Sequence, residues 1–318
     1  MNDKTEILVK YLTPENLYQQ ISQFTAGMAV KKDEFELIVP SCTLEDIEWN
    51  HMDQMHRPAI HNTYEKGIRI ALGTHFSLSL TQWKKWPIFI TVTDVYVDKG
   101  LFYQSMTIGG IIFLHSIISM TEVGNDSVKL KDEWYIASHK FFRFLHKPLS
   151  KMLYRLNVRL QQEDEQIRQG RFVLRKQGYA FHTDNPNFYN SNILSENTIY
   201  PKMMNEMSVC VDDVSDVAIL KKADHVEFII KKENNIYFIW PAVCPHEGGP
   251  LMNGKFNQAK ITCPWHGLHF SAVQLSKEFP AAFKYGFEYR LSENIIYIKQ
   301  AAVLKRSTCL SQEKELCR

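Results

Sequence analysis

The sequence predicts an α+β fold in which an N-terminal domain, built from one curved antiparallel sheet and one long helix, precedes an all-β domain. Between residues 68 and 137, β-branched and aromatic runs alternate with turn signals, which indicates an antiparallel meander. Apolar residues recur at three- and four-residue steps over 149–167, which predicts the long helix. A second strand-rich pattern covers residues 206–300. A sheet that wraps one closing helix is a helix-grip layout and leaves a cavity between sheet and helix.

The N-terminal domain is predicted to open with a short helix. Thr13, Pro14 and Glu15 suit an N-cap, a proline at the first helical position and an acidic first turn, so this helix should run to about Phe24. A short strand is predicted at 35–39, and a polar, His-rich segment follows it. The strands of the meander are predicted at 68–80, 88–97, 101–108, 111–121 and 128–137.

The long helix closes this domain. Pro148 suits its first turn, and Gly170 after Gln169 is the predicted C-cap. The predicted domain bounds are 1–175 for the helix-grip domain, 176–205 for a linker strap, 206–301 for the all-β domain and 302–318 for a tail.

The composition indicates which partners and which cellular location to expect. The balance of 37 Lys+Arg against 35 Asp+Glu creates no bulk field for nucleic acid, so no nucleic-acid partner is expected. The N-terminus lacks the apolar stretch of a signal peptide, and the most apolar run, 108–120, is too short for a membrane span. Free thiols and a cytoplasmic location are expected because four of the six cysteines show no framework spacing. These four are Cys42, Cys210, Cys309 and Cys317.

Two loops of the all-β domain carry the strongest motif. The segments Cys244-Pro245-His246 and Cys263-Pro264-Trp265-His266 offer two thiolates and two imidazoles, which can hold either a structural zinc or a [2Fe–2S] cluster. The loops read C-P-H-E-G-G-P and C-P-W-H-G, so each combines a stiffening proline with glycine. Glycine lets backbone amides approach the sulfur atoms of a cluster. These details favour the cluster over zinc.

With these loops, residues 206–300 resemble a Rieske domain. The resemblance implies that Cys244 and Cys263 bind one iron of a [2Fe–2S] cluster, and that His246 and His266 bind the other. Respiratory Rieske proteins carry an additional Cys in each loop, and the two form a disulfide. Gly249 and Trp265 stand at those positions here. The domain therefore resembles the low-potential Rieske domains of ferredoxins and oxygenases.

A second metal site is predicted in the His-rich segment and the long helix. Glu48, His51 and His56 form the pattern E-x-x-H-x-x-x-x-H, and two imidazoles with one carboxylate are the set that holds non-haem Fe(II) with open positions. Five residues along a straight helix would separate the two imidazoles by roughly 140°. A break in the helix is therefore required. Glu163 and Asp164 lie on either edge of the apolar face of the long helix, and periodicity does not choose between them.

The combination resembles the Rieske non-haem iron oxygenases, which join a Rieske domain to a helix-grip (START-like) catalytic domain. The resemblance implies that His51, His56 and Asp164 bind the mononuclear iron. It also implies that Glu48 takes the place of the acid that carries electrons from the cluster to the iron ligand. This chain departs from the family in two ways: the domain order is reversed, and the bridging acid is usually Asp rather than Glu.

The function expected from this resemblance is oxygenation of an apolar organic substrate with O₂ by hydroxylation, dihydroxylation or demethylation. A ferredoxin or flavin reductase would supply the electrons, since the chain carries no G-x-G-x-x-G motif. A homotrimer is expected because electrons cross a subunit interface in this family. The alternative is a non-catalytic Rieske electron carrier fused to an apolar-ligand-binding domain, in which His51 and His56 only pack.

Overall fold

The computed structural model describes residues 12–53, 56–61, 64–72, 75–83, 89–185 and 196–301, and the predicted tail at 302–318 lies outside them. The chain divides into two compact units that do not follow chain order. The first unit comprises the described residues of Met1–Ile199, Cys244–Lys255 and Thr262–His269. The second comprises those of Tyr200–Val243, Phe256–Ile261 and Phe270–Arg318. Both predicted cluster loops therefore belong to the same unit as the N-terminal sheet and helix, while the predicted domain bounds remain a prediction.

Four α-helices belong to the first unit. They are α1 (Leu17–Phe24), α2 (Leu44–Met52), α3 (Arg57–Ile60) and α4 (His146–Lys176), the last preceded by a 3₁₀ turn at Lys140–Leu145. Helix α2 begins at a capping box, because the hydroxyl of Thr43 accepts from the N–H of Asp46 while the Asp46 carboxylate accepts from the N–H of Thr43. This cap fixes where α2 starts and therefore where its last turn, which carries His51, comes to lie.

A seven-stranded antiparallel sheet forms the other layer of the first unit. Its strands are β1 (Ala29–Pro40), β2 (Tyr64–Leu72), β3 (Phe76–Trp83), β4 (Phe89–Asp98), β5 (Leu101–Ile108), β6 (Ile112–Glu122) and β7 (Ser127–Ser138). They lie in the order β1-β7-β6-β5-β4-β3-β2. Register shifts in β2 and β4 bend the sheet, as β-bulges do. The prediction of one strand at 68–80 is wrong, because β2 and β3 pair antiparallel as a hairpin within that stretch.

Helix α4 packs on the concave face of this sheet. Leu153 of α4 joins a core with Phe35, Leu130 and Trp134 of the sheet. The predicted C-cap at Gly170 is wrong, since the helix continues to Lys176. A Cβ atom at Gly170 would lie 3.0 Å from the indole ring of Trp265, so glycine is required there by close packing rather than by a helix end.

The second unit is all β. One four-stranded sheet orders β10 (Met207–Cys210), β20 (Ile295–Gln300), β19 (Phe287–Ser292) and β18 (Ala281–Lys284). The other orders β11 (Ile219–Ala223), β12 (Val226–Glu233), β13 (Ile236–Pro241) and β17 (Val273–Leu275). Their core includes the rings of Phe228, Phe287 and Tyr289. The remaining described strands, of which β8 and β9 belong to the first unit, are short: β8 (Ala180–Phe181), β9 (Thr198–Ile199), β14 (Lys255–Asn257), β15 (Lys260–Thr262) and β16 (His269–Ser271).

The predicted fold class is confirmed. A helix and antiparallel sheet at the N-terminus and strands in the C-terminal half make the chain α+β. Within the described part of the chain, each helix is too short or too polar to cross a membrane.

Candidate metal centres

The two Cys- and His-bearing loops have the same backbone arrangement. In each loop the N–H of the Cys donates to the carbonyl five residues later, and the glycine four residues after the Cys donates back to the Cys carbonyl, at 2.8–3.0 Å. The four bonds run Cys244 to Gly249, Gly248 to Cys244, Cys263 to Leu268 and Gly267 to Cys263. Gly248 and Gly267 have φ of +86° and +68°, which glycine adopts without strain. The paired loops present their side chains to a shared space.

That space collects the four side chains named from the sequence. The thiols of Cys244 and Cys263 are buried and hydrogen-bonded to each other, and this bond lowers the pKa of Cys263 to about 7. The rings of His246 and His266 lie 4.9 Å apart and almost perpendicular. Nδ1 of His266 is buried without a hydrogen-bond partner. Two thiols, two imidazoles and an unsatisfied ring nitrogen fit a [2Fe–2S] cluster held by two Cys and two His.

Gly249 packs directly against the second cluster loop. A Cβ atom there would lie 2.6 Å from Sγ of Cys263 and 3.1 Å from the ring of Trp265. Real Cβ atoms do not approach sulfur so closely, so any side chain at this position would displace a predicted cluster ligand.

A buried arginine of α4 anchors the first of these loops. The guanidinium of Arg171 is fully buried and stacks between the rings of Trp49 and Phe181, at 4.0 and 3.8 Å from their centroids. It forms ion pairs with Glu247 at 2.9 Å, Asp184 at 3.0 Å and Asp46 at 3.3 Å. Because Glu247 directly follows His246, this network ties the cluster loop to α2 and α4.

The second candidate centre lies between α3 and α4. Nε2 of His56 and Nε2 of His61 lie 3.3 and 3.2 Å from Oδ1 of Asp164. One ligand atom from each of these three residues lies within 4.8 Å of the others, and all three residues are buried. His56 and His61 flank the single turn of α3 as its N-cap and C-cap, which brings their rings to the same side. This is the two-His, one-carboxylate set of a mononuclear iron site.

The electrostatics of this centre favour a bound cation. Oδ1 of Asp164 makes no hydrogen bond, although both imidazoles face it. Burial alone would lower the pKa of His56, but Asp164 and Asp53 outweigh it and raise the pKa to about 9. The same imidazole holds the pKa of Asp164 well below its usual range despite burial. A site that draws a proton so strongly also suits a divalent metal ion.

Each of the two imidazoles has a carboxylate behind it. Nδ1 of His61 donates to Oε2 of Glu163 at 3.0 Å, and Glu163 also accepts from Arg159 at 2.9 Å. Nδ1 of His56 lies 3.7 Å from Oδ2 of Asp53. A carboxylate behind a ligating His fixes the tautomer and turns Nε2 toward the metal. Glu163, which the sequence left open as a ligand, lies behind His61 rather than facing His56.

The geometry groups a different second histidine from the one that the resemblance implied. Asp164 and His56 are brought together as expected, but His61 rather than His51 completes the group. His51 stays in the last turn of α2 at the cavity wall, where burial lowers its pKa to about 3. The chain leaves α2 at Asp53, and this break separates His51 from the residues of α3.

The structure places the expected bridging acid, Glu48, against the sheet rather than against either centre. Oε1 of Glu48 accepts from the N–H of Gly100 at 2.6 Å, which is a contact with the sheet. Asp53 instead accepts from Nε2 of His266 at 2.5 Å. Asp53 and His61 were missed, yet Asp53, His56 and His61 form the pattern D-x-x-H-x-x-x-x-H. That second copy of the motif begins with the Asp that the family prefers, and this was the available signal.

The iron-type centre opens into a cavity between α4 and the sheet. This cavity encloses about 870 Å³, counting its mouth, and His56, His61 and Asp164 lie in its wall. A second, apolar cavity of about 510 Å³ shares five wall residues with the first. The shared residues are Tyr64, Met106, Leu114, Leu153 and Leu156. The two cavities therefore lie next to each other and share this part of their wall.

The carboxyl group of Asp132, which lines the first cavity, should make the free energy of unfolding depend on pH. Burial raises its pKa to about 7, although Ser116 and Asn157 oppose the shift. The folded state therefore holds this proton more tightly than the unfolded state, so the stabilisation is complete below about pH 4 and lost as pH rises through about 7. Urea denaturation at pH 5 and pH 8 should show that Asp132→Asn removes about 2 kcal/mol of the wild-type pH dependence. An unchanged pH dependence in the variant would contradict this shift.

Residues 207–285 match the family model of the Rieske [2Fe-2S] domain. This part of the chain is a Rieske domain. A Rieske domain implies a [2Fe–2S] cluster, and the two Cys and two His described above lie within the matched residues. The match covers β10 to β18 and both cluster loops, but neither β19 and β20 nor the centre formed by His56, His61 and Asp164.

Two curated relatives resemble the Rieske region. Apoptosis-inducing factor 3 of Homo sapiens and that of Mus musculus are each 29% identical to this chain over 85 residues. The similarity covers 25% of this chain and 14% of each relative. This chain thus corresponds to a small part of their length.

Solved structures resemble about half of the chain. A norcoclaurine synthase from Thalictrum flavum in complex with dopamine and hydroxybenzaldehyde is 20% identical, with 48% of this chain and 92% of that chain covered and a TM-score of 0.35. The quaternary ammonium Rieske monooxygenase CntA is 10% identical, with 50% of this chain and 43% of that chain covered and a TM-score of 0.35. Similarity at this level supports no functional conclusion for the present chain.

Proposed function

We propose that this protein is a Rieske-type oxygenase that uses O₂ and electrons from a ferredoxin or flavin reductase to oxidise an organic molecule. Hydroxylation, dihydroxylation and demethylation are the reactions of this class. The observation that carries the proposal is the group of His56, His61 and Asp164, which lies in a cavity wall and is joined through Asp53 to His266 of the Rieske domain. A ligand-binding or electron-carrying protein needs no such connected pair of centres.

The residues of the two centres have distinct roles in this proposal. Cys244, His246, Cys263 and His266 hold the cluster, and His56, His61 and Asp164 hold a mononuclear Fe(II). A cluster supplies electrons singly, and an iron with open positions supplies the oxidation of the substrate by O₂.

The surrounding side chains keep this chemistry ordered. Glu163 and Asp53 lie behind His61 and His56 and hold Nε2 of each ring toward Asp164. The apolar wall of the adjacent cavities excludes water and binds the substrate body. The protein therefore contributes ligation, orientation and a dry site, while the metal centres contribute the redox chemistry.

Asp53 replaces Glu48 as the proposed electron bridge. Its carboxylate contacts His266 directly and faces Nδ1 of His56, and all three residues belong to the first compact unit of one chain. We infer that electrons pass within a chain. The homotrimer expected from the family remains a prediction about assembly, but transfer across a subunit interface is not needed when the bridge lies within the chain.

Iron content tests the proposal through a pair of matched histidine variants. The wild type should hold about three irons per chain, two in the cluster and one at the second centre. His61→Ala should hold about two irons with an unchanged Rieske EPR signal, because it loses a ligand that Glu163 orients. His51→Ala should keep about three.

The opposite pattern, with iron lost from His51→Ala and kept by His61→Ala, would restore the ligand set expected from the sequence. A wild type with only about two irons after anaerobic loading with Fe(II) would favour the non-catalytic electron carrier. A colourless protein that holds one zinc would rule out both the oxygenase and the Rieske electron carrier.

A further inference from the structure

Residues of α4 line both adjacent cavities. Asp164, Asn157 and Leu149 of α4 all lie in their walls. Asn157 is seven residues before Asp164, and Leu149 is eight residues before Asn157. At 1.5 Å per residue these steps are about 10 and 12 Å along the helix axis. The walls of the two cavities together therefore span roughly 20 Å along α4, from Asp164 to Leu149.

The sheet side of this space carries the carboxyl group of Asp132, together with the polar side chains of Gln104 and Ser116. Asp132 of β7 lies opposite Phe35 of β1 and Ile118 of β6, and it is 8% exposed. Its Oδ2 accepts from Nδ2 of Asn157 at 2.9 Å, whereas its Oδ1 is buried without a hydrogen-bond partner. A buried acceptor without a partner destabilises the protein that carries it, and a ligand that donates a hydrogen bond removes that penalty.

A donor without a partner lines the same cavity as this acceptor. Trp134 is two residues further along β7, so it faces the same side of the sheet as Asp132, and both residues line the same cavity. Nε1 of Trp134 is also buried without a hydrogen-bond partner. An indole N–H only donates, so it requires an acceptor on the ligand. The wall thus presents one unsatisfied acceptor and one unsatisfied donor.

We propose that Asp132 and Trp134 bind the hydroxyl group of an elongated, otherwise apolar alcohol or phenol. A hydroxyl donates to Oδ1 of Asp132 and accepts from Nε1 of Trp134, so it satisfies both atoms. An ammonium group cannot accept from Trp134, and a carboxylate has no hydrogen atom to donate to Oδ1 of Asp132. The inference rests on the proposed oxygenase function for its catalytic meaning. The hydroxyl would lie about 10 Å along the helix from Asp164, so oxidation is expected several bonds away from it.

Binding of two matched probes to the full-length holoprotein tests this site without turnover. The probes are 4-hexylphenol, which donates a hydrogen bond, and 4-hexylanisole, its methyl ether, which only accepts. The measured quantity is the ratio of the Kd for the ether to the Kd for the phenol. This ratio should fall at least about tenfold from wild type to Asp132→Leu, because the leucine removes the acceptor that only the phenol uses. Comparison of ratios cancels the difference in hydrophobicity between the probes.

Two further variants complete the test. Glu133→Gln should leave the ratio at the wild-type value, since Glu133 instead contacts Tyr18 and Lys32. Trp134→Phe should weaken both probes about equally, because each presents an oxygen to Nε1, and it provides a second measurement if Asp132→Leu fails to fold. A ratio that Asp132→Leu leaves unchanged within about twofold would overturn the site, as would tight binding of both probes by Trp134→Phe.

Failure of the hydroxyl site can be distinguished from failure of the proposed oxygenase function. Loss of three-iron content would defeat the oxygenase proposal and leave the binding ratio readable. An unchanged ratio in Asp132→Leu that still holds about three irons would defeat the hydroxyl site alone.

Discussion

Asp53→Asn should slow the oxidation of a reduced Rieske cluster by O₂ about 100-fold while iron content stays at about three per chain. The carboxylate of Asp53 accepts from Nε2 of His266 and lies 3.7 Å from Nδ1 of His56, so it stands between one predicted ligand of each centre. An amide has nearly the same shape but lacks the charge, and its single oxygen cannot serve both imidazoles equally. The connection is therefore weakened without removal of any ligand.

The measurement is anaerobic reduction followed by rapid mixing with O₂-saturated buffer, with the cluster absorbance recorded. Glu48→Gln is the matched control, because Glu48 is a buried acid of α2 that binds Gly100 of the sheet. Its cluster should be oxidised at the wild-type rate. If Glu48→Gln is slowed and Asp53→Asn is not, the bridge expected from the sequence is the correct one. Unchanged EPR spectra of both variants would establish that the cluster itself is intact.

The sequence allowed the Rieske loops to be identified completely because their chemistry is local. Each pair of ligands lies within four residues, and proline and glycine mark the turns that hold them. The matching hydrogen bonds of Cys244 and Cys263 follow from these local patterns. The fold class was equally accessible, since strand and helix periodicities depend only on neighbouring residues.

The iron ligands were harder because two overlapping motifs compete. The pattern from Glu48 and the pattern from Asp53 have the same spacing and share His56. Only the end of α2 at Met52 decides between them, since the break lets His56 and His61 flank one turn of α3. The ends of a helix are harder to predict from sequence than its existence, and the choice between the two motifs depends on where α2 ends.

Packing of the cluster loop against α4 could not be predicted from the sequence at all. In the sequence, Arg171 is one of many charged residues of a long helix. Such residues are usually exposed to solvent, so its burial is not expected. Its burial depends on carboxylates at Asp46, Asp184 and Glu247, which are far apart in the chain. Gly170 was similarly misread as a helix end, because its role depends on the distant ring of Trp265. Such features require the three-dimensional structure.

Mixed oligomers of two inactive chains should not recover activity. One chain carries Cys244→Ser and lacks a complete cluster site, and the other carries Asp164→Ala and lacks an iron ligand. If electrons pass from His266 through Asp53 to His56 within a chain, each chain needs both of its own centres. The expected activity of the mixed species is therefore no higher than that of either variant alone.

The matched control places both substitutions in one chain. When the double variant is co-expressed with wild type, the mixed species contains the same two substitutions, but its wild-type chain keeps both centres. Activity per wild-type chain should then equal that of the wild-type protein. Two different affinity tags isolate the mixed species, and native mass spectrometry establishes its composition.

Recovery of activity in the first mixture would show transfer between chains and support the head-to-tail trimer expected from the family. A heterologous ring gives each chain one donor and one acceptor face, so complementary inactive chains would rescue each other. The contact of His266 with Asp53 within one compact unit predicts the other result. If activity is not recovered, the reversed domain order places the electron path within one chain rather than across a subunit interface. A single chain is then a complete catalytic unit.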